Sequence, residues 1–414
     1  MKAFSCFSHS KHSLFSSSQI IPIPYKYESI FKFNQNPVQF TPKFPPKTPN
    51  FPSLSLNSSQ NLTPENLPPL VVVGSANADI YVEIDRLPKE GETISAKSGQ
   101  TLAGGKGANQ AVCGGKLLYP TYFFGQIGED ANGRLISEEL KNGGVSLDHL
   151  RNVNGAPTGH AVVMLQSNGE NSIIIVGGAN MSCWPEEIDD ADLEIVRNAG
   201  IVLLQREIPD SVNIQVAKAA RNAGVPVILD AGGMDSPFPP ELLNFVDILS
   251  PNESELSRLT GMPTESFEQV SQAVTKCYGM GVKKVLVKLG DKGSALFVEG
   301  EEPVKQPIIS APKVLDTTGA GDTFTAAFAV ALVEGQSKQE CLRFAAAAAS
   351  LCVQVKGAIP SMPDRDSLNS GKVLAVGPDL RDKTGNHIPV AVKEGDTVLL
   401  PEYGGTTVKL GEKE

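Results

Sequence analysis

Asp322 directly follows Gly319-Ala320-Gly321, at the junction of two apolar runs. A β-branched segment leads into Val314-Leu315-Asp316-Thr317-Thr318, and the Ala-rich run at 326–332 suits a buried helix. The glycines are therefore expected at the first turn of that helix. Glycine there lets a ligand reach the backbone with no Cβ in the way. The orphan N–H groups and the positive dipole end attract an anion such as phosphate. A carboxylate beside a phosphate is repelled, so Asp322 is costly there unless it has a task. The natural task is to take a proton from a hydroxyl as that hydroxyl attacks a phosphoryl group. Taken alone, the same residues also read as ordinary caps and turn punctuation.

Two distant segments share this chemistry. Ala103-Gly104-Gly105-Lys106-Gly107-Ala108-Asn109-Gln110-Ala111 places three glycines before a small-residue helix expected from Gln110 onward. It lacks the Lys-Ser/Thr ending of a Walker A loop. Pro251-Asn252-Glu253-Ser254-Glu255 follows an apolar run around Val246-Asp247-Ile248-Leu249. Together with the Asp322 stretch, these segments resemble the PfkB family of sugar and nucleoside kinases, from about residue 70 to about residue 364. Within that family the ribokinases are the most similar.

The resemblance implies ATP-dependent phosphorylation of D-ribose at its 5-hydroxyl, with Asp322 as base. Another PfkB sugar or nucleoside kinase, or a non-catalytic PfkB-like plastid scaffold, stays open. It assigns Asn77, Asp79, Gly105, Lys106, Gly107, Ala108, Asn109, Glu207 and Asp322 to the sugar. It assigns Asn252, Lys288, Leu289, Gly290, Asp291, Lys292, Gly293, Gly319, Ala320, Gly321, Asp322 and Ala346 to the nucleotide. Asn252 and Glu253 stand for the family's Asn-x-x-Glu element, near the phosphates and a hydrated Mg²⁺. Lys288 stands where relatives often carry Thr or Ser, and Ala346 where ribokinases more often carry Asn or His. A K⁺ site would draw on Asp316, Thr318, Cys352, Val355, Gly357 and Ser361, mostly through main-chain oxygens.

These residues need a scaffold that brings them to one edge. Leu70-Val71-Val72-Val73, Ile201-Val202-Leu203-Leu204, Val225-Pro226-Val227-Ile228-Leu229 and Lys284-Val285-Leu286-Val287-Lys288-Leu289 read as strands buried on both faces. Each ends in polar residues, as in a doubly wound, mostly parallel sheet with its site along the carboxyl edge. Asn77 and Asp79 would lie just beyond the first strand, either as hydroxyl ligands or as an Asn/Asp turn. Asp230 reads as a strand-end turn residue. Residues 80–98 alternate about Pro88-Lys89-Glu90-Gly91. A second alternating pair, 159–165 and 171–176, brackets Ser167-Asn168-Gly169-Glu170. These hairpins break the βαβ rhythm and suggest a small separate sheet. The resemblance makes it a β lid over the sugar and the contact of a homodimer. The predicted fold class is thus α/β with a small β lid, plus a short all-β C-terminal fragment.

The chain has 414 residues and a formal net charge of −10, which argues against nucleic acid or an anionic membrane as its main partner. Its six cysteines are scattered with no C-x-x-C pair, which suits a reducing compartment. Residues 1–66 are rich in Ser, Pro, Phe and Lys, with Glu28 the only acid before Glu65 and no Arg before Arg86. That composition predicts a disordered transit peptide, for a plastid in preference to a mitochondrion. The kinase-like domain spans 67–366. Residues 367–414, including Gly377-Pro378, Lys393-Glu394-Gly395-Asp396 and Glu402-Tyr403-Gly404-Gly405, resemble the middle of a GroES-type co-chaperonin. That segment would lack strands at both ends, which argues against co-chaperonin activity. A gene fusion and a mis-joined gene both fit it.

Overall fold

The computed structural model describes residues 67–167 and 171–368, with short strands at 370–372, 380–381, 387–388 and 397–399. The leader, the tip of the second hairpin and most of the co-chaperonin-like tail lie outside the described residues.

The chain opens with β1 (Leu70–Val73), β2 (Asn77–Ile84), β3 (Ser98–Gly104), α1 (Lys106–Lys116), β4 (Thr121–Gly128) and α2 (Ala131–Asn142). Short strands β5 (Val145–Ser146) and β6 (Leu150–Val153) precede β7 (Gly159–Gln166) and β8 (Asn171–Val176). A βαβ region then supplies α3 (Asp190–Arg197), β9 (Ile201–Arg206), α4 (Asp210–Asn222), β10 (Val227–Gly233) and α5 (Pro240–Leu243). It continues with β11 (Ile248–Ser250), α6 (Glu253–Thr260), α7 (Phe267–Gly279) and β12 (Lys284–Lys288). Strands β13 (Ser294–Val298) and β14 (Val304–Gln306) lead to α8 (Ala320–Val333) and α9 (Lys338–Cys352). Two short helices, α10 (Ala358–Ser361) and α11 (Arg365–Leu368), follow.

The main sheet has 10 strands, in the order β14-β13-β12-β11-β10-β9-β1-β4-β5, with β6 also on β4. Pairing is parallel from β12 through β4 and antiparallel across β12, β13 and β14. Strand β1 shows why its sequence is continuously apolar. Leu70 and Val72 join a core with α1, α8 and α9, while Val71 and Val73 join a second core with α4 and α7. A two-residue period distributes one strand over two dry faces.

The second sheet has the order β3-β2-β7-β8. Both expected hairpins are present, but the partner of β2 is 98–104, beyond the expected 80–98 segment, with Glu83 opposite Ser98 and Asn77 opposite Gly104. The hairpins join through a parallel β2·β7 pairing, which their turns alone do not announce.

Candidate active site

Gly105 has φ 91, and a Cβ there would sit 2.7 Å from the Asn77 nitrogen. Only glycine fits this crossing, so it caps α1, and the helix starts at Lys106, four residues before its expected start. Gly107 and Ala108 turn inward. A Cβ on Gly107 would meet Ser75 N at 2.7 Å, and Ala108 is fully buried in the core, so these two seat α1 against the end of β1.

Asn77 and Asp79 belong to β2, which corrects their expected place in a turn after the first strand. With Tyr81 they follow the two-residue period and line one cavity of about 700 Å³. Gly105, Lys106, Asn109, Glu207, Asp316, Thr318, Gly319 and Asp322 line it as well. Asn180 Nδ2 donates to Asn77 Oδ1 at 2.7 Å, so the group Asn77 can offer a ligand is its NH₂. Glu207 Oε2 accepts from Ser75 Oγ at 2.5 Å and from the Lys106 backbone N at 3.1 Å. Burial, then the carboxylates of Glu207 and Asp322, push Asp79 up to about 7.

A second cavity of about 520 Å³ is lined by Asn252, Glu253, Glu255, Lys288, Gly290 and Gly321. Lys106, Gly319 and Asp322 line both cavities, so the two meet at the N-terminus of α8. Gly319 has φ 80 and caps this helix from the left-handed region, as the glycine turn requires. Ala320 N donates to Thr317 O at 3.2 Å, so this N–H, expected on phosphate, serves the turn itself. Asp322 is buried between donors: Asn109 Nδ2 at 2.9 Å, Gln110 Nε2 at 3.2 Å and Lys106 Nζ at 3.3 Å. Burial works against the charge on Lys106. Asp230, Asp322, Glu255 and Glu207 outweigh it and hold the amine well above its ordinary value.

Several expected nucleotide residues face elsewhere. Leu289 and Ala346 are buried in the two cores. Lys292 Nζ pairs with Glu253 Oε1 at 2.8 Å, and Gly293 packs on the backbone of β14. Among 289–293 only Gly290 lines the second cavity; Asp291 lines neither. The Asn-x-x-Glu spacing ends on Glu255, not on Glu253. Asn252 Oδ1 accepts from Glu255 N while Glu255 Oε2 accepts from Asn252 N, both at 2.8 Å, a capping box that opens α6 on the cavity.

Asp230 is also corrected. It lies within β10, fully buried, and pairs with Lys288 at 2.6 Å and Lys106 at 3.4 Å. Burial would raise its pKa, but those two ammonium groups hold it below the ordinary carboxylate range.

Five of the six positions expected around K⁺ (Asp316, Thr318, Cys352, Gly357 and Ser361) contact one another from three segments, and Val355 N donates to Cys352 O within its own loop. Asp316 accepts from the backbone N–H groups of Thr318 and Gly357, each at 2.9 Å. Leu315 N donates to Val353 O at 2.8 Å, and Cys352 Sγ lies 3.0 Å from Ser361 Oγ.

The profile described as pfkB family carbohydrate kinase matches residues 68–365, and that of the chaperonin 10 Kd subunit matches 357–414. The two overlap on 357–365, which holds α10 and the start of α11, and there Ile359 and Met362 are buried in the sheet's core. A ribokinase of Arabidopsis thaliana is 72% identical over 343 residues, covering 81% of this chain and 90% of its own. A Bacillus subtilis ribokinase is 37% identical over 299 residues, covering 72% and 97%. The solved structure of Arabidopsis thaliana ribokinase complexed with ribose and ATP superposes with a TM-score of 0.71 at 78% identity, over 73% of this chain and 97% of that one.

Proposed function

We infer, from the premise that the chain belongs to the pfkB family of carbohydrate kinases, that it transfers a phosphoryl group from ATP to ribose. One observation carries this reading: two cavities meet at Asp322, where a glycine turn opens a helix. Ribose occupies the larger cavity, with hydroxyls on Asn77, Asp79, Asn109 and Glu207. The nucleotide's phosphates occupy the smaller one, against the first turn of α8.

Asp322 accepts the proton of the 5-hydroxyl as that oxygen forms its bond to the terminal phosphorus. The bond from that phosphorus to the bridging oxygen breaks, and ADP leaves with the electron pair. Lys106, which borders both cavities, balances charge on the moving group. Asn109 and Gln110 keep the carboxylate aimed.

Mg²⁺ fits the oxygen-rich side of the smaller cavity, where Asn252, Glu253 and Glu255 would hold its water shell. Bound there, it would neutralise phosphate charge. K⁺ fits the convergence of Asp316 with the loop carbonyls around 352–357, and would brace the loop that delivers Gly319.

The edge strand β8 supports a homodimer through the lid. Ile173, Ile174 and Ile175 are each more than half exposed on it. The acid-poor leader supports import into a plastid.

A panel of sugars and nucleosides with ATP, on protein beginning near residue 67, tests the activity. Ribose should be among the best acceptors. A clear preference for another sugar or a nucleoside would replace the substrate, and no transfer to any acceptor would favour a scaffold.

A further inference from the structure

The buried carboxylate of Asp230 has no part in the steps above, yet it reaches three elements of the site. Its Oδ2 accepts from Lys288 Nζ at 2.6 Å and from Thr325 Oγ1 at 3.2 Å. Its Oδ1 accepts from Gly232 N at 3.0 Å and from Lys106 Nζ at 3.4 Å. Thr325 Oγ1 also lies 3.0 Å from Gly321 O; its single proton serves one of these two acceptors at a time, and Thr325 itself brings the carboxylate's contact onto α8. A side chain with no exposed surface keeps a charge only where partners offset its lost hydration. Two ammonium groups do so here.

Lys288 sits at the end of β12, where its N–H donates to Pro251 O at 2.9 Å beside Asn252. Its side chain is 12% exposed, and the surface it keeps borders the smaller cavity. The nearest atoms to a Cβ built on Gly321 are Lys288 Nζ and Cδ, both at 3.8 Å. An ammonium carries three donors, and Asp230 takes one from behind. The charges around this cavity then sort themselves. Glu253 pairs with Lys292, and Asp322 pairs with Lys106. Lys288 is left backed by Asp230 and turned to the space in front of the glycine turn.

We propose that Asp230 is a positioning residue of the transfer site: its buried carboxylate holds Lys106 and Lys288, the latter already expected at the nucleotide, on either side of the transfer point, with the Lys288 ammonium set against the phosphates. The proposal rests on ATP occupying the smaller cavity. Lys288 supplies a point charge where a helix N-terminus already favours an anion, and Asp230 fixes its height above Gly321.

The test uses Lys288→Met, Lys288→Arg, Asp230→Asn and the Lys288→Met/Asp230→Asn double variant, beside the unaltered protein. Steady-state kinetics for ATP and ribose are joined by calorimetry of ATP and of ribose separately. Lys288→Met should lower kcat/KM for ATP about tenfold or more, as for a lost hydrogen bond to a charged group, and weaken ATP binding. Ribose binding should stay within about twofold, and Lys288→Arg should recover part of the loss. Asp230→Asn should cost less in the Lys288→Met background than alone, because part of its effect passes through Lys288. If Asp230→Asn does not fold, Asp230→Glu supplies that arm with the same expected non-additivity.

Lys288→Met within twofold of the unaltered protein, in ATP binding and in kcat/KM, overturns the phosphate contact. Equal costs of the Asp230 change in both backgrounds overturn the positioning role. ATP calorimetry needs no acceptor, so failure of the ribose reading stays distinct from failure of this one.

Discussion

Asn109 donates from Nδ2 to Asp322 Oδ2 at 2.9 Å, with both side chains buried where the two cavities meet. That bond fixes the amide and leaves Asn109 Oδ1 buried with no partner. A buried acceptor without a donor costs roughly 1–3 kcal/mol, and a sugar hydroxyl in the cavity would relieve it. The pair therefore orients the base and offers a sugar contact with one side chain.

Asn109→Ala should accordingly lower kcat/KM for ribose by about 10- to 100-fold, the loss of one buried polar contact together with a looser base. ATP affinity should hardly change. Calorimetry with each ligand checks this, and equal weakening of both would mean the site had lost its shape.

Asp79 sets a pH dependence. Its carboxyl titrates near 7 because burial and then Glu207 and Asp322 disfavour the charge. Below that pH it carries a proton and accepts fewer hydroxyls; above it, the carboxylate can accept two. Ribose kcat/KM should rise as pH increases through about 7, and Asp79→Asn should remove that inflection. The stability effect has the opposite sign. A carboxyl raised from 3.8 to about 7 is stabilising to keep protonated, so the sugar-free protein loses stability between those values and recovers none above them. Asp79→Asn should thus raise the melting temperature more at pH 8 than at pH 5, read by thermal scans at both.

Much of this was legible in the sequence. Continuous apolar runs such as 70–73 and 201–204 read as strands dry on both faces and are so, and Gly319 and Gly105 occupy positive φ where turns were expected. Asp230 was not legible. A carboxylate after Val-Ile-Leu reads as a strand end, and its partners lie 124 and 58 residues away in Lys106 and Lys288. Asn180, which orients Asn77 across 103 residues, gave no local signal either. Glu255 could have been found, since Asn-x-x-Glu is a capping spacing as well as a family element. What spacing cannot reveal is which polar residues the fold brings together from separate strands.

The C-terminal boundary makes a stability prediction. Arg365 pairs with Glu334 at 2.9 Å, and Leu368 packs on the core beside α9. Every residue placed at the active site precedes both. A chain ending at Leu368 should keep ribose kinase activity and its melting temperature. One ending at Asp364 should melt about two degrees lower or more, the shift that about 1 kcal/mol or more produces in a domain of this size. Loss of activity on cutting after Leu368 would give the tail a role in the site.

The central claim is that Asp322 takes the proton of the attacking hydroxyl, and Asp322→Asn tests it most directly. Asparagine keeps the shape and removes the base, so ribose and ATP should still bind by calorimetry while kcat falls by at least about 10²-fold, the usual worth of such a proton transfer. A variant that binds both ligands and turns over within a few-fold of the unaltered protein would contradict the account.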